Sequence, residues 1–487
     1  MAAVIAVDAG TTSIRCMAFD EHGTSIAATQ GEFAQHFPRP GWVEHDAAEI
    51  WAVTQRLLAA LVDQLHEPVA AIGITNQRET VVAWDRRTGV PRHRAIVWQD
   101  RRTAARMQAL HDEGLLPVVR ERTGLVLDPY FSASKLEWLL TEGGVAADEH
   151  LALGTVDAWL LWNLTGVHGT DPSNASRTML FDLHTAAWDA ELADRFGVPP
   201  AALPEVLPSS GRMGTTRGVP GVPDGIPVSG IAGDQQAALF GQTCYAPGEA
   251  KNTYGTGSFV LANVGPTCPP PAEGILTTVA WQIGDEVTYA LEAAIFVTGA
   301  TIQWLRDGLG IVSAASEVGP LAESVDDNGG VYLVPAFAGL GCPWWDPYAR
   351  GTVVGITRGT TRAHLARAAV EAMAYQTRDA VEAMAAAAGI TVTALKVDGG
   401  AAVMPLLLQL QADQLQVPVS RPVVAETTAL GAAYLAGLAE GVWATTDDLR
   451  ANWRLDVEVR PATDRSVADG LHAAWRRAVE RSLAWER

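Results

Sequence analysis

The chain has 487 residues, enough for two large domains or about three smaller ones. With 48% hydrophobic and 18% charged residues it can bury large cores, which excludes a disordered chain. A net charge of −20, without any Lys/Arg cluster, speaks against nucleic acid as a partner.

Residues 1–7 are apolar, but Asp8 ends the run too early for a signal peptide or membrane span, and no later run is long enough to cross a membrane. Four scattered cysteines (Cys16, Cys244, Cys268, Cys342) form no CxxC or Cys/His metal spacing, which fits a reduced, cytoplasmic protein.

Residues 4–8 read as a buried strand, 9–13 as a tight polar turn and 14–20 as a second strand. The hairpin carries Asp8 and the hydroxyls of Thr11, Thr12 and Ser13 at its tip. Two readings stand: an ordinary Gly/Thr/Ser turn, or a clasp in which N–H groups and hydroxyls converge on phosphate while Asp8 holds a cation. A helix is predicted over residues 47–65 and strands over 69–74 and 81–84. Arg78 beside Glu79 is either a pair of solvated charges or a donor fork next to an acceptor, suited to vicinal hydroxyls. The aromatics around Trp98 and Tyr130 serve either packing or the carbon edge of a polyol.

Residues 218–227 are rich in Pro and Gly and read as a surface loop. A short strand follows over 226–232, broken by Gly233, and helical spacing begins at Gln235. Asp234 therefore stands where a strand stops and a helix starts. It is either a helix N-cap or a general base at the carboxyl end of a sheet. Soon after, Gly255-Thr-Gly-Ser258 echoes Gly10-Thr-Thr-Ser13, each in a turn entering a strand. One copy in each half suggests a duplicated domain with a cleft between the copies, a preferred place for ligands.

The second half also reads as α/β. A helix opens over 298–305, 339–347 form a loop, and 364–384 are helical. Residues 395–400 are a strand followed by a Gly turn, and Pro405 suits the first turn of a helix through Leu415. Small residues over 428–434 permit close helix packing. Residues 457–487 read as a polar strand and a closing helix.

Taken together these stretches resemble the FGGY family of carbohydrate kinases, which includes glycerol, xylulose and gluconate kinases and belongs to the actin-like ATPase superfamily. The resemblance runs nearly the full chain. Tyr130-Phe-Ser-Ala-Ser-Lys-Leu-Glu-Trp138 is similar to the family's first signature, and Gly351-Thr-Val-Val-Gly-Ile356 through Ala368-Ala-Val-Glu371 to its second. Within the family the likeness is closest to the glycerol kinases. It is carried by Pro40-Gly-Trp-Val-Glu-His-Asp46, Gly73-Ile-Thr-Asn-Gln-Arg-Glu79, Asn174-Ala-Ser-Arg-Thr-Met-Leu-Phe181 and Trp345-Asp-Pro-Tyr-Ala-Arg-Gly351.

The resemblance implies an α/β fold of two actin-like (ribonuclease H-like) domains flanking a catalytic cleft. Residues 1–249 would hold the polyol site, the first phosphate clasp and the catalytic Asp; residues 250–487 would bind nucleotide. The implied reaction is ATP- and Mg²⁺-dependent phosphorylation of glycerol to sn-glycerol 3-phosphate, with ADP as co-product. The alternatives are a kinase for a related polyol or ketose, or a non-catalytic nucleotide-binding protein. By the same resemblance Asp234 is the base, and Arg78, Glu79, Tyr130, Asp234 and Gln235 hold the hydroxyls. Trp98 and Phe259 would cover the carbon chain. Thr11, Thr12, Ser13 and Arg15 match the first clasp, and Thr256 the second. Gly299, Gln303 and Gly400 match nucleotide contacts, and Asp8 and Asp234 match Mg²⁺ anchors. The expected partners are glycerol and ATP/ADP, with no nucleic acid and no membrane span; a homo-oligomer is compatible with the sequence.

Three stretches depart from the glycerol kinase pattern. Ala9 replaces the Gln of Asp-Gln-Gly-Thr-Thr, and Met404-Pro405 replaces an Asn-Asn pair whose first member meets adenine. Val222-Pro-Asp-Gly225 stands where members sensitive to fructose bisphosphate carry Gly-Gly-Thr-Arg.

Overall fold

The computed structural model describes residues 2–486. Its frame is one sheet of 13 strands. In chain order these are β1 (Ala3–Ala9), β2 (Ser13–Phe19), β3 (Ser25–Glu32), β4 (Val69–Asn76), β5 (Ser210–Thr215), β6 (Pro227–Gly233), β7 (Glu249–Tyr254), β8 (Ser258–Gly265), β9 (Leu276–Ile283), β10 (Glu286–Ile295), β11 (Ala394–Gly399), β12 (Val419–Pro422) and β13 (Leu455–Val459). Across the sheet they run β13-β12-β11-β7-β8-β10-β9-β5-β6-β4-β1-β2-β3.

The same run occurs twice. β3-β2-β1-β4-β6 has the same order of connections as β10-β8-β7-β11-β12. In each copy an antiparallel hairpin comes first, with Asp8 opposite Arg15 in one and Tyr254 opposite Ser258 in the other. The fourth strand then pairs in parallel with the first. The duplication suggested by the two Gly-Thr-x-Ser turns is therefore a duplication of topology. β9 and β5 join the copies, meeting at Ser210 and Ile283.

β1 is apolar on both faces because both faces are covered, as parallel strands require. Ile5 and Val7 share a core with Ile50, Leu57 and Leu58 of helix α1 (Ala47–Gln64). Val4 and Ala6 share another with Ala237 and Phe240 of α2 (Asp234–Gly241) and with Ala432 and Tyr434 of α5 (Thr427–Ala439). The small residues of α5 let it lie directly on α2: a Cβ at Gly431 would overlap the carbonyl of Ala237. An element from the far end of the chain thus roofs the first sheet copy.

The long helix α3 (Arg362–Ala388) exceeds the predicted 364–384 at both ends. It starts at a capping box between Thr361 and His364 and stops at Gly389 in the left-handed region. α4 (Pro405–Leu415) begins at Pro405 as predicted. The segment read as a helix over 298–305 forms a short helix, Gly299–Gln303, and then widens into a π turn over Trp304–Gly308. β13 is followed by the closing helix α6 (Arg465–Ser482), whose Trp475 donates to buried Asp379 of α3 at 2.8 Å.

Candidate active site

Three parallel strands of the first copy end side by side. Asp8 and Ala9 of β1 pair with Thr75 and Asn76 of β4, and Asn76 pairs with Gly233 of β6. Asp8, the segment Gln77-Arg78-Glu79 and Asp234 therefore gather at one sheet edge, where open α/β sheets place ligands. Asp234 is the first residue of α2, after Gly233 as cap, and its Oδ1 accepts from the backbone N–H of Gln235 at 2.7 Å. It does not bridge to later first-turn amides, so the N-cap reading is not realised. Arg78 Nε stands 3.1 Å from the same oxygen.

Beneath Asp234 lies a buried ionic lattice. Arg78 Nη1 meets Glu292 at 2.5 Å, and Arg177 meets Glu79 at 2.6 Å and Glu292 at 2.9 Å. Glu79 has a φ of 61°, an uncommon conformation for a non-glycine residue, of the kind that clusters at functional sites. Burial alone would raise the Glu292 carboxyl, but Arg177 and Arg78 outweigh it and hold it at about 2. Burial raises Asp234 above its ordinary range, against the pull of Arg78 and Lys251. A carboxylate so placed is a better proton acceptor than a free one.

Above the lattice opens a cleft of about 630 Å³ lined by Trp98, Tyr130, Gln235, Thr256, Phe259 and Trp345, among others. Trp98 and Tyr130 meet edge to face with centroids 5.6 Å apart. The Trp98 indole N–H donates to the hydroxyl of Thr11 at 3.0 Å, tying the aromatic wall to the first clasp. Arg78 and Glu79 do not line this cleft: they are 3% and 1% exposed, with the Arg78 guanidinium 6.0 Å from the Phe259 ring.

Both polar turns are tight. Gly10 N–H donates to the Ser13 carbonyl at 3.0 Å, and Gly255 N–H to Gly257 at 2.8 Å. Thr12 is exposed, and Arg15 pairs with Glu426 and with Gln30. Gly299 N–H donates to the Gly255 carbonyl at 3.1 Å, which brings Gly299 beside Thr256. Gly399, at φ 86°, pairs with Tyr254 of β7, and Gly400 follows it in the open. Met404 packs toward Gly319, while Gln303 is exposed at the end of its helix. Ala9 is buried in β1, and its carbonyl accepts from the backbone of Gln77 at 2.8 Å; the Gln77 side chain holds the Gly10 carbonyl at 3.0 Å. That clasp is held together with alanine at position 9.

Asp8 and Asp234 fit a divalent cation. Burial, then the nearby Asp234 charge, lifts the Asp8 carboxyl to about 7. A cation between the two would relieve that repulsion. Among the described residues no three His, Cys, Asp or Glu side chains converge on a metal position. Mg²⁺ commonly takes only one or two carboxylates and completes its shell with water and phosphate oxygens.

The N-terminal domain model of the FGGY family of carbohydrate kinases matches residues 3–241, and its C-terminal domain model matches residues 250–440. The chain belongs to the FGGY family. Among relatives of this FGGY member, glycerol kinase 2 of Thermotoga maritima is 52% identical over 99% of both chains. The glycerol kinase of Trichlorobacter lovleyi is 55% identical over 100% of this chain and 99% of its own. The crystal structure of Plasmodium falciparum glycerol kinase with ADP superposes with a TM-score of 0.95 at 33% identity, covering 99% and 98% of the two chains. Gluconate kinase of Lactobacillus acidophilus shares the fold, with a TM-score of 0.90 at 21% identity over 98% and 97%.

Several residues of this FGGY site escape sequence reasoning. Glu292 sits in the apolar run Tyr289-Ala-Leu-Glu-Ala-Ala-Ile295, where a lone carboxylate signals a buried partner. Arg177 lies inside a stretch already read as family-like. Lys135 is wholly buried and donates to the carbonyls of Pro129, Tyr130 and Phe131 at 2.6–2.9 Å, so it fixes the backbone that carries Tyr130. Lys251 is also wholly buried and reaches Gln235.

Proposed function

We infer that this FGGY-family chain transfers the γ-phosphoryl group of ATP to a primary hydroxyl of glycerol, yielding sn-glycerol 3-phosphate and ADP. The observation that carries the chemistry is Asp234: a carboxylate raised by burial, oriented by Arg78, and next in the chain to Gln235, which lines a cleft with aromatic walls. The full-length likeness to glycerol kinases supports glycerol as the substrate.

In this reading the glycerol carbon chain lies against Trp98 and Phe259, and Tyr130 and Gln235 meet its hydroxyls. Arg78, buried beneath the cleft, orients Asp234, and Glu79 belongs to the ionic lattice that anchors it. Asp234 takes the proton as the hydroxyl oxygen attacks the γ-phosphorus. The bond to the β-phosphate oxygen breaks and ADP leaves. The turns at Thr11–Ser13 and at Thr256, with Arg15, face the phosphates; Gly299, Gln303, Gly400 and Met404 belong to the nucleotide side. Phosphoryl transfer leaves the protein mainly positioning and charge stabilisation. Mg²⁺, anchored by Asp8 and Asp234, would neutralise phosphate charge.

The division into residues 1–249 and 250–487 is supported by the repeated strand order and the two family-model matches. The net charge of −20 favours small-molecule partners over nucleic acid, and self-association is compatible with this reading. Among the described residues no helix is long and apolar enough to cross a membrane. Four unpaired cysteines favour the cytoplasm.

The test is ADP release with ATP and Mg²⁺ against a panel of glycerol, xylulose, gluconate and erythritol. Glycerol should give the highest kcat/KM by far. A higher value for a ketose or sugar acid would overturn glycerol as substrate, and nucleotide binding without transfer to any acceptor would overturn the enzyme reading.

A further inference from the structure

Lys251 of β7 is buried beside the cleft, its side chain bonded to the side chain of the lining residue Gln235. It is 0% exposed. Its ammonium donates to the Gln235 amide oxygen and to the Thr253 hydroxyl, the latter at 2.9 Å. Gln235 belongs to α2 of the first copy, so this bond joins the two halves. Thr253, two residues along β7 and on the same face, leads into the second clasp at Gly255-Thr256.

The chemistry of the pair fixes an orientation. An ammonium has three donors and no acceptor, so the amide atom that faces it is the oxygen. The Gln235 amide N–H₂ must then point elsewhere. Gln235 lines the cleft, and among the described residues no acceptor is bonded to that N–H₂. Next to it stands Asp234, an acceptor when ionised. Consecutive residues, Asp234 and Gln235, thus offer one acceptor and one donor.

We propose that Lys251 is a positioning residue for substrate selection: it locks the Gln235 amide so that its N–H₂ faces the cleft and donates to a second hydroxyl of the polyol, beside the one that gives its proton to Asp234. This rests on the function proposed above. A ligand with neighbouring hydroxyls satisfies both groups at once. Removing the lysine frees the amide to turn its oxygen to the cleft, where a hydroxyl meets an acceptor instead of a donor.

The experiment compares wild type, Lys251→Met, Lys251→Arg and Gln235→Glu, each first shown to melt cooperatively. Glycerol binding is measured by titration calorimetry, alongside KM for glycerol and ATP. Propane-1,2-diol and propane-1,3-diol, each lacking one hydroxyl, are measured as inhibitors. Lys251→Met should weaken glycerol about tenfold, the scale of one donor lost from a closed site, with the ATP KM within about twofold. The weakening should vanish for the diol that lacks the hydroxyl held by Gln235 and persist for the other. Lys251→Arg, also a pure donor, should recover most of the loss. Equal weakening of glycerol and both diols, or a change confined to ATP, would overturn the proposal. If Lys251→Met does not fold, Gln235→Glu decides: it keeps an oxygen for Lys251 but removes the N–H₂, and wild-type glycerol affinity there would overturn the idea. Wild-type protein that binds glycerol without releasing ADP would refute the proposed reaction, while the calorimetry would still report on Lys251.

Discussion

Arg78 Nε stands 3.1 Å from Asp234 Oδ1, and the same guanidinium is anchored on its other side by Glu292 at 2.5 Å. Asp234 is thus held by a residue that cannot itself swing away. Asp234→Asn keeps the size and the partner of Arg78 but cannot take a proton. Its kcat should fall by about 10²–10⁴ with a modest change in glycerol affinity. Steady-state kinetics with calorimetry for glycerol check this; a kcat near wild type would remove Asp234 as the base.

Arg78→Ala is expected to harm the fold as well as binding. An arginine lining a cleft could be removed with little effect on stability, but this one is 3% exposed and leaves Glu292 and Asp234 short of a partner. Breaking a buried pair from one side costs about 3–5 kcal/mol. Denaturant unfolding should show that loss, and Arg78→Lys should fall between the two. Unchanged stability would mean the lattice tolerates its own opening.

Trp98→Phe keeps the aromatic wall and removes the N–H that reaches Thr11 at 3.0 Å. One neutral hydrogen bond is worth about 0.5–1.5 kcal/mol. The KM for ATP should rise several-fold and exceed the change for glycerol. A larger effect on glycerol would place the role of Trp98 in polyol packing alone.

By the resemblance described above Met404 takes the place of an Asn in the glycerol kinase pattern, and it packs toward Gly319. A thioether offers shape but almost no hydrogen bonding, whereas an amide both donates to and accepts from a purine edge. The wild type should discriminate weakly between ATP and GTP, and Met404→Asn should gain preference for ATP. The kcat/KM ratio for the two nucleotides decides; the same ratio in both proteins would dismiss Met404 from base selection.

His45 should make the fold sensitive to acid. Its Nε2 meets Gln35 Oε1 at 2.7 Å and its Nδ1 meets Gln77 Nε2 at 3.3 Å, an arrangement that suits the neutral ring. Burial, then the His36 charge, lowers it from 6.5 to about 4. A base depressed in the fold takes up its proton first in the unfolded chain, so its contribution is intact above pH 6.5 and drains as pH falls toward about 4. Asp157, raised to about 6 by burial, acts in the opposite direction over part of that window. The difference between proteins is therefore the clean measurement. Between about pH 7 and about pH 5 the Tm of His45→Gln should fall less than that of wild type. Parallel slopes would show that His45 does not carry the effect.

Much of the fold was legible because its signals are local. Pro405 at a helix start, the apolar run of β1 and the small residues of α5 each announce their structure within a few neighbours. The echo of Gly10-Thr-Thr-Ser13 in Gly255-Thr-Gly-Ser258 reached further, because both turns close the same hairpin in the two copies. At the site, Asp234, Trp98 and Tyr130 were visible as types of residue at a strand end and among aromatics, whereas Phe259 entered only through the family resemblance. What stayed hidden was pairing over long separations. Arg78 meets Glu292 across more than 200 positions, and Lys251 meets a residue on a helix of the other copy. No periodicity encodes such partners, so the sequence offers Arg78 as a solvated charge or a polyol donor and gives no sign of the buried lattice it joins.

The helix α5 has a consequence for how the chain is born. It is made after residue 426, yet it roofs the sheet whose first strand begins at Ala3. A ribosome that has delivered both turns, Asp234 and the whole first sheet has still not delivered their cover. Until about nine-tenths of the polypeptide has emerged, the face formed by Val4, Ala6 and Phe240 waits uncovered. Synthesis proceeds from the N-terminus, and most domains close as they appear. Here the first copy must be shielded by something else, or stay loose, until its roof arrives. A nascent chain stalled at residue 250 should be readily cut by protease in β1 and β4, whereas one released past residue 440 should resist.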